Sequence, residues 1–203
     1  MLARLLLTCG LLAALPTASP AAIIVGYTPG GSAIGPGNNF SGQSLLTPAG
    51  GPWNNLAFSF FSDQAATVPS AAGTLYLLTQ EYLGTPAGLS AATPGFVAAS
   101  TSVSAGAYLF AAGVTVQPNT PYFVYSDSQV PTNGRTTPGT YPDGIYYIAG
   151  GSGTNYGQFP AADAFFRLTG DVAAVNAVPA PAGLILAGLG LPALGLVRRV
   201  RRA

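Results

Sequence analysis

Few side chains in this 203-residue chain could perform acid, base, nucleophilic or metal-binding chemistry. The chain has no histidine and no lysine, and its charged residues are seven arginines, five aspartates and one glutamate. Without histidine, neither a Ser-His-Asp triad nor a Cys-His pair can be built, and without lysine there is no P-loop or Schiff-base chemistry. The single cysteine, Cys9, lies in a segment that we expect to be removed, so we expect no disulfide.

The six carboxylates do not pair at the spacing of a hydrolytic site. A glycosidase needs two carboxylates that flank the sugar bond. Asp143 lies in a Pro-Asp-Gly turn, and Glu81 has the position of an exposed charge at a strand end. Asp127, between two serines, could give a few oxygens to a structural Ca²⁺ ion, which takes six to eight. We predict no catalytic residue, no cofactor and no metal; hydrolysis of a polysaccharide is the less favoured alternative.

Aromatic side chains supply the best candidate for a specific ligand. Their rings present flat apolar faces, and tyrosine adds a hydroxyl group that can bind a polar ligand such as a carbohydrate. The competing interpretation is that these rings cap the core and brace loops. The candidate carbohydrate-binding residues, at strand ends or beside glycine-rich loops, are Trp53, Tyr82, Tyr141, Tyr146, Tyr147 and Tyr156.

The elements that must position these residues are short strands. In the run 56–60, large and small residues alternate, which places Leu56, Phe58 and Phe60 on one face. In the run 164–169, Phe166 and Leu168 should face inward, with Phe165 and Arg167 on the opposite face. Glycine and proline turns separate the runs. The predicted strands are 22–28, 40–47, 56–60, 74–78, 96–104, 107–112, 114–116, 122–125, 145–148 and 164–169.

This pattern predicts an all-β fold. Between the two ends of the chain, no stretch of eleven or more residues carries an amphipathic helical stripe. About nine or ten short strands with regular breaks favour an antiparallel β-sandwich, jelly-roll-like in size, over residues 22–177. Without disulfides, such a domain must rely on its apolar inner faces, which ten phenylalanines and ten tyrosines can supply.

The N-terminus has the pattern of a secretory signal peptide. Arg4 precedes an apolar run at 5–15, and a stretch rich in small residues follows. The run is too short to cross a bilayer, which takes about 20 apolar residues. We therefore predict a signal helix in residues 1–21, with cleavage after Ala21 and Ala22 as the alternative cleavage position.

The C-terminus has the pattern of a transmembrane helix with a basic tail. Residues 172–197 carry no charge, and then four arginines follow at 198, 199, 201 and 202. As an α-helix, residues 177–197 would span about 31 Å, close to the thickness of a bilayer core. The arginine cluster places the C-terminus in the cytoplasm by the positive-inside rule. The competing interpretation is a buried core helix, which would usually have a polar face.

These C-terminal residues resemble a PEP-CTERM sorting signal. The likeness covers the motif Val178-Pro179-Ala180-Pro181, an apolar helix at about 180–197, and the tail 198–203 with Arg198, Arg199, Arg201 and Arg202. Ala180 stands where the family usually has glutamate. The resemblance implies a Gram-negative bacterium, export across the inner membrane, and an exosortase as processing partner. The protein would stay anchored by the helix, or reach the cell surface after processing.

A second resemblance covers roughly residues 40–126. The segments 41–45, 73–77, 84–90 and 114–123 are similar in order and spacing to the "choice-of-anchor" ectodomains of bacterial surface proteins. This family implies a surface-displayed β-sandwich, and it carries over no catalytic residue.

The low content and the negative balance of charged residues exclude nucleic acid as a partner. Only 6% of the residues are charged, far below the usual quarter, which argues against a free cytosolic protein. Residues 22–177 hold two arginines against six carboxylates, a net charge of −4, so the domain offers no basic footprint for nucleic acid. We therefore predict a non-enzymatic envelope or cell-surface protein with a structural or adhesive role in an exopolysaccharide-associated layer. A carbohydrate-binding module is the alternative.

Overall fold

The computed structural model describes residues 21–29, 34–136 and 141–173. The described strands form two antiparallel sheets packed as a sandwich, which confirms the all-β prediction. The predicted signal peptide, apart from Ala21, lies outside the described residues, as does the predicted sorting signal at 178–203. Across the described residues, no helix has the length and apolarity needed to span a membrane.

Within the described part of the chain, one sheet has six strands. The main path runs from one edge to the other in the order β1, β13, β3, β8, β7, and β4 pairs with β3 away from this path. The strands are β1 (Ala22–Tyr27), β3 (Trp53–Phe61), β4 (Pro69–Ser70), β7 (Ser102–Ser104), β8 (Ala107–Leu109) and β13 (Phe166–Val172).

The other sheet has seven strands over the residues that the structure describes. Its order is β11, β10, β2, β9, β5, β6, with β12 paired to β9 away from this path. The strands are β2 (Ile34–Leu46), β5 (Leu75–Leu78), β6 (Phe96–Ala99), β9 (Pro121–Thr136), β10 (Tyr146–Ala149), β11 (Gly157–Phe159) and β12 (Ala162–Ala164). A single turn of 3₁₀ helix, Pro86–Gly88, lies in the connection between β5 and β6.

Alternation predicted the inward faces correctly. Leu56, Phe58 and Phe60 are at most 1% exposed, and so are Phe166 and Leu168. These side chains fill the space between the sheets. The rings of Phe58 and Phe166 stack 5.9 Å apart, and those of Phe58 and Phe60 meet edge to face at 5.0 Å. Burial of such side chains stabilises the fold by roughly 1.5–3 kcal/mol each.

Several strands differ from the predicted runs. The run 96–104 is two strands, β6 and β7, which lie in different sheets. Residues 114–116 form only an isolated bridge from Val116 to Trp53. The short strands β4, β11 and β12 were not predicted, because two or three residues are too few to show an alternating pattern.

The interior between the sheets also holds a polar network. The Gln43 amide donates to a carboxylate oxygen of Asp163 at 2.8 Å and accepts from the Ala164 backbone N–H at 3.0 Å. The other Asp163 oxygen accepts from the Tyr141 N–H at 2.9 Å. Burial raises the pKa of Asp163 above its ordinary value. The network therefore ties β2 to β12 with bonds that offset the cost of burying polar groups.

Candidate functional site

The outer face of the seven-stranded sheet carries a second apolar cluster. Strand alternation turns Tyr125 of β9 and Tyr147 of β10 away from the main core, and the chain between β5 and β6 contributes Leu89 to cover them. Half-buried rings surround this cluster. Its buried members are Leu78, Leu89, Tyr125, Tyr147, Ala149 and Tyr156, and its half-buried rings are Phe40, Tyr76, Tyr82, Phe96 and Phe123.

Tyr125 stands at the centre of this outer cluster. Its ring centroid lies 4.8 Å from that of Tyr156, 5.3 Å from Tyr147 and 5.9 Å from Tyr82, at edge-to-face angles. A glycine on the neighbouring strand makes room for the ring. A Cβ atom at Gly42 would lie 2.5 Å from Cδ1 of Tyr125, closer than carbon atoms approach.

Two buried tyrosine hydroxyls in the cluster, those of Tyr125 and Tyr156, are bonded to backbone groups. The Tyr82 backbone N–H donates to the Tyr125 hydroxyl at 3.1 Å, and the Tyr156 hydroxyl donates to the Ser126 carbonyl. Burial raises the pKa of both Tyr125 and Tyr156, so these phenols stay neutral. The first bond fixes the chain between β5 and β6 to the sheet, and the second fixes the connection between β10 and β11 to β9.

A cleft of about 440 Å³ opens beside the cluster. Its wall carries the half-buried ring of Phe123, the exposed carboxylate of Glu81 and the exposed amide of Gln158. The Gln158 amide donates to a Glu81 carboxylate oxygen. Burial, followed by the neighbouring Glu81 carboxylate, raises the pKa of Tyr147, which therefore stays protonated. The cleft thus combines an apolar ring with acceptors and donors, within the size range of small-ligand sites.

The structure places most of the predicted aromatic residues inside the protein. Trp53, Tyr146, Tyr147 and Tyr156 are only 6%, 4%, 1% and 2% exposed. Trp53 and Tyr146 belong to the main core, and Tyr147 and Tyr156 to the outer cluster. Trp53 and Tyr146 begin β3 and β10, and Tyr156 directly precedes β11, but tertiary packing covers the ring faces of all four. Their burial agrees with the competing interpretation that these rings cap a core.

The other two predicted rings are half-buried and brace loops. The Tyr82 hydroxyl donates to the Thr85 carbonyl at 2.8 Å. The Tyr141 hydroxyl accepts from the Leu46 N–H at 3.2 Å, and its ring meets Phe166 edge to face at 5.4 Å. Of the six, only Tyr147 lines the cleft, and the structure does not bring all six together.

Phe123 and Gln158 are the cleft residues that sequence reasoning missed. A signal for Phe123 existed, since it alternates with Tyr122 and Val124 and must share a face with Tyr125. No local pattern marks Gln158, because its strand β11 is only three residues long.

The carboxylates of Asp143 and Glu81 occupy the exposed turn and strand-end positions that the sequence predicts. Asp143 is an exposed turn residue, and Glu81 is exposed just after β5; both line the cleft. A carboxylate oxygen of Asp127 accepts from the Thr74 N–H at 2.7 Å and from the Ser128 hydroxyl at 3.0 Å. The described ranges contain no group of three or more His, Cys, Asp or Glu side chains that could hold a metal ion.

We compared the sequence and the structure with known proteins. No protein-family model, curated protein or solved structure matches this chain.

Proposed function

We propose that this protein is an exported, non-enzymatic component of the Gram-negative envelope or cell surface. Its signal peptide would carry it across the inner membrane, and a jelly-roll-like sandwich would fold outside that membrane. The C-terminal helix would anchor the domain, or an exosortase would process the chain at Val178-Pro179-Ala180-Pro181 before release to the surface. Its role would be structural or adhesive, in a layer that contains exopolysaccharide.

The observation that carries this proposal is the C-terminal sequence. An uncharged stretch of 26 residues ends at four arginines, in a chain that has only two more arginines after residue 21. An uncharged, apolar stretch of this length could span a bilayer, and the positive-inside rule would then place the arginine tail in the cytoplasm. A charge-poor β-sandwich with hydrogen-bonded loops suits a domain displayed on the far side.

Fractionation tests the location. Full-length tagged protein should appear in the membrane or surface fraction, and deletion of residues 178–203 should release the domain in soluble exported form. The matched control replaces Arg198, Arg199, Arg201 and Arg202 by glutamine, which keeps the helix but removes the orientation signal. Recovery of the full-length chain in the soluble cytosol would contradict the proposal.

Carbohydrate binding is the second candidate function, and the cleft beside Phe123 favours it. A half-exposed ring can stack on a sugar, while Glu81 and Gln158 can bond its hydroxyl groups. The residues differ from those predicted by sequence, because the predicted rings are mostly buried.

A glycan panel tests this second function on the full-length protein. Phe123→Ala should weaken the binding of a responsive glycan at least tenfold, and Glu81→Gln severalfold. Phe159→Ala is the matched control, since Phe159 is an exposed ring on β11 that does not line the cleft. Equal loss in both phenylalanine variants would exclude the cleft as the site. Polysaccharide turnover abolished by Glu81→Gln would instead support the hydrolase alternative.

A further inference from the structure

A second cleft lies on the opposite side of the sandwich, on the outer face of the six-stranded sheet. Its volume is about 480 Å³. Neighbouring strands form its floor, where Arg167 and Thr169 of β13 lie directly opposite Ser59 and Ala57 of β3. The small side chains of Ala57, Ser59 and Thr169 leave the sheet surface open, so an extended ligand could lie close to the backbone.

Among the described residues, Arg167 is the one charged side chain that lines this second cleft. Its guanidinium lies over the Phe61 ring, 5.2 Å from the centroid. Such a contact holds the guanidinium in place by one face and leaves the in-plane N–H donors available. Among the described residues, no carboxylate lies within ion-pair distance of Arg167.

The ends of the second cleft are rigid. At one end, the Asp63 carboxylate accepts hydrogen bonds from the Thr67 N–H, the Thr67 hydroxyl and the Val68 N–H at 2.7–2.8 Å, which fixes the loop after β3. At the other end, the turn between β7 and β8 packs on Pro69, where a Cβ atom at Gly106 would lie 2.4 Å from the Pro69 carbonyl oxygen. The cleft is therefore preformed.

Two alanines in this cleft have an unusual backbone conformation. Ala66 and Ala105 both line it, and their φ angles are +50° and +48°. The other non-glycine residues with positive φ among the described ones are Asn55 and Asn119, a type that tolerates this region. Alanine adopts this region less readily; Ala105 does so in the hairpin turn between β7 and β8, and both strained alanines lie on the rim of the cleft.

We propose that the Arg167 cleft binds a carboxylate that is attached to a polyol, that is, a sugar acid. One guanidinium matches one negative charge, and its planar fork matches the two oxygens of a carboxylate. Ser59 and Thr169 also line the cleft; the Thr169 hydroxyl donates to the Ala57 carbonyl at 3.4 Å and can still accept a hydrogen bond from a sugar hydroxyl. Ala57 and Ala107 leave room for a ring. The inference rests on the described domain alone and does not depend on export or on the Phe123 cleft.

Calorimetry on the full-length chain in detergent tests the proposal, with a galacturonate trisaccharide as the probe. We expect saturable binding that weakens at least tenfold in Arg167→Gln and severalfold in Arg167→Lys, which keeps the charge but loses the fork. Ala107→Leu should also weaken binding, since it fills the cleft without changing any charge. The Ala107→Leu variant still tests the cleft if the Arg167→Gln variant does not fold.

Control ligands distinguish recognition of the carboxylate from recognition of the sugar rings. The methyl ester of the same trisaccharide keeps its shape and loses its charge, so it should bind at least tenfold more weakly. Absence of galacturonate binding, equal binding of the ester, or equal binding by a folded Arg167→Gln or Ala107→Leu variant would overturn the proposal. Equal affinity for sulfate or for a peptide C-terminus would overturn the assignment to sugar acids.

Discussion

The two outer faces of the sandwich have opposite characters, although both sheets turn alternate residues outward. On the seven-stranded sheet, the outward residues include Tyr125 and Tyr147, and the chain between β5 and β6 folds over them. On the six-stranded sheet, the outward residues include Ala57, Ser59 and Thr169, and the surface stays open. Side-chain size on alternate positions therefore decides whether a face acquires a second core or remains available to a ligand.

The largest expected effect comes from removing the central ring of the covered face. Tyr125→Ala should lower the free energy of unfolding by about 3–5 kcal/mol, because it leaves a cavity among three other rings. The matched change on the open face, Ser59→Ala, should alter it by at most about 0.5 kcal/mol. Urea unfolding of both variants measures the difference, and equal effects would show that the outer cluster contributes no stability.

Overpacking of the covered face should have a smaller effect. Gly42→Ala places a methyl group against the Tyr125 ring and should cost about 1–3 kcal/mol. Gly113→Ala is the control, because a Cβ atom there has no neighbour within 4 Å. A Gly42→Ala variant as stable as Gly113→Ala would mean that the ring moves aside freely.

Two aspartates should give opposite pH dependences. Hydrogen bonds from the Thr67 side chain and the Val68 backbone lower the pKa of Asp63, which lies at the end of the open cleft. The contribution of the Asp63 carboxylate to the free energy of unfolding is therefore lost as pH falls below 3.8. Burial raises the pKa of Asp163, so stability falls as pH rises from 3.8 through its folded pKa.

The variants Asp63→Asn and Asp163→Asn separate these two contributions. Asp63→Asn should remove part of the stability that the protein loses as pH falls below 3.8. Asp163→Asn should remove the decrease in stability that occurs as pH rises above 3.8. Urea unfolding at several pH values between 2.5 and about 7 measures both slopes, a range set by the ordinary carboxyl pKa values. Unchanged slopes in both variants would contradict the assignments.

The smallest effect concerns the turn at the end of the open cleft. Ser104 pairs with Ala107, so Ala105 and Gly106 form a two-residue hairpin turn with positive φ at both positions. Asn-Gly is the favoured sequence for this turn, and Ala105→Asn should therefore raise the free energy of unfolding by about 0.5–1 kcal/mol. Ala111→Asn, at an exposed position without a positive φ angle, should not. If Ala105→Asn instead lowered the free energy of unfolding, the claim that the positive φ angle strains Ala105 would be wrong.

Sequence reasoning reached the sandwich and its inward faces, but only part of the candidate sites. It identified the alternation that buries Phe58 and Phe60, and it placed Phe166 and Arg167 on opposite faces. It treated Arg167 only as an outward residue, because the partners that make its cleft come from β3, β8 and two loops. From the sequence, Trp53 and Tyr147 could either form a platform for a carbohydrate or cap the core, because nothing local shows that distant segments cover them.

Alternation, turn residues and charge are local properties, so the sequence by itself determined the all-β class, the inward positions and the absence of histidine or lysine chemistry. Which outward face is covered, and which side chains meet in a cleft, depends on segments far apart in the chain. Only the tertiary structure decided that the chain between β5 and β6 buries Tyr125 while Arg167 keeps an open surface. The physical reason is that burial is a property of the packed neighbours of a residue, and these are set by strand order rather than by sequence distance.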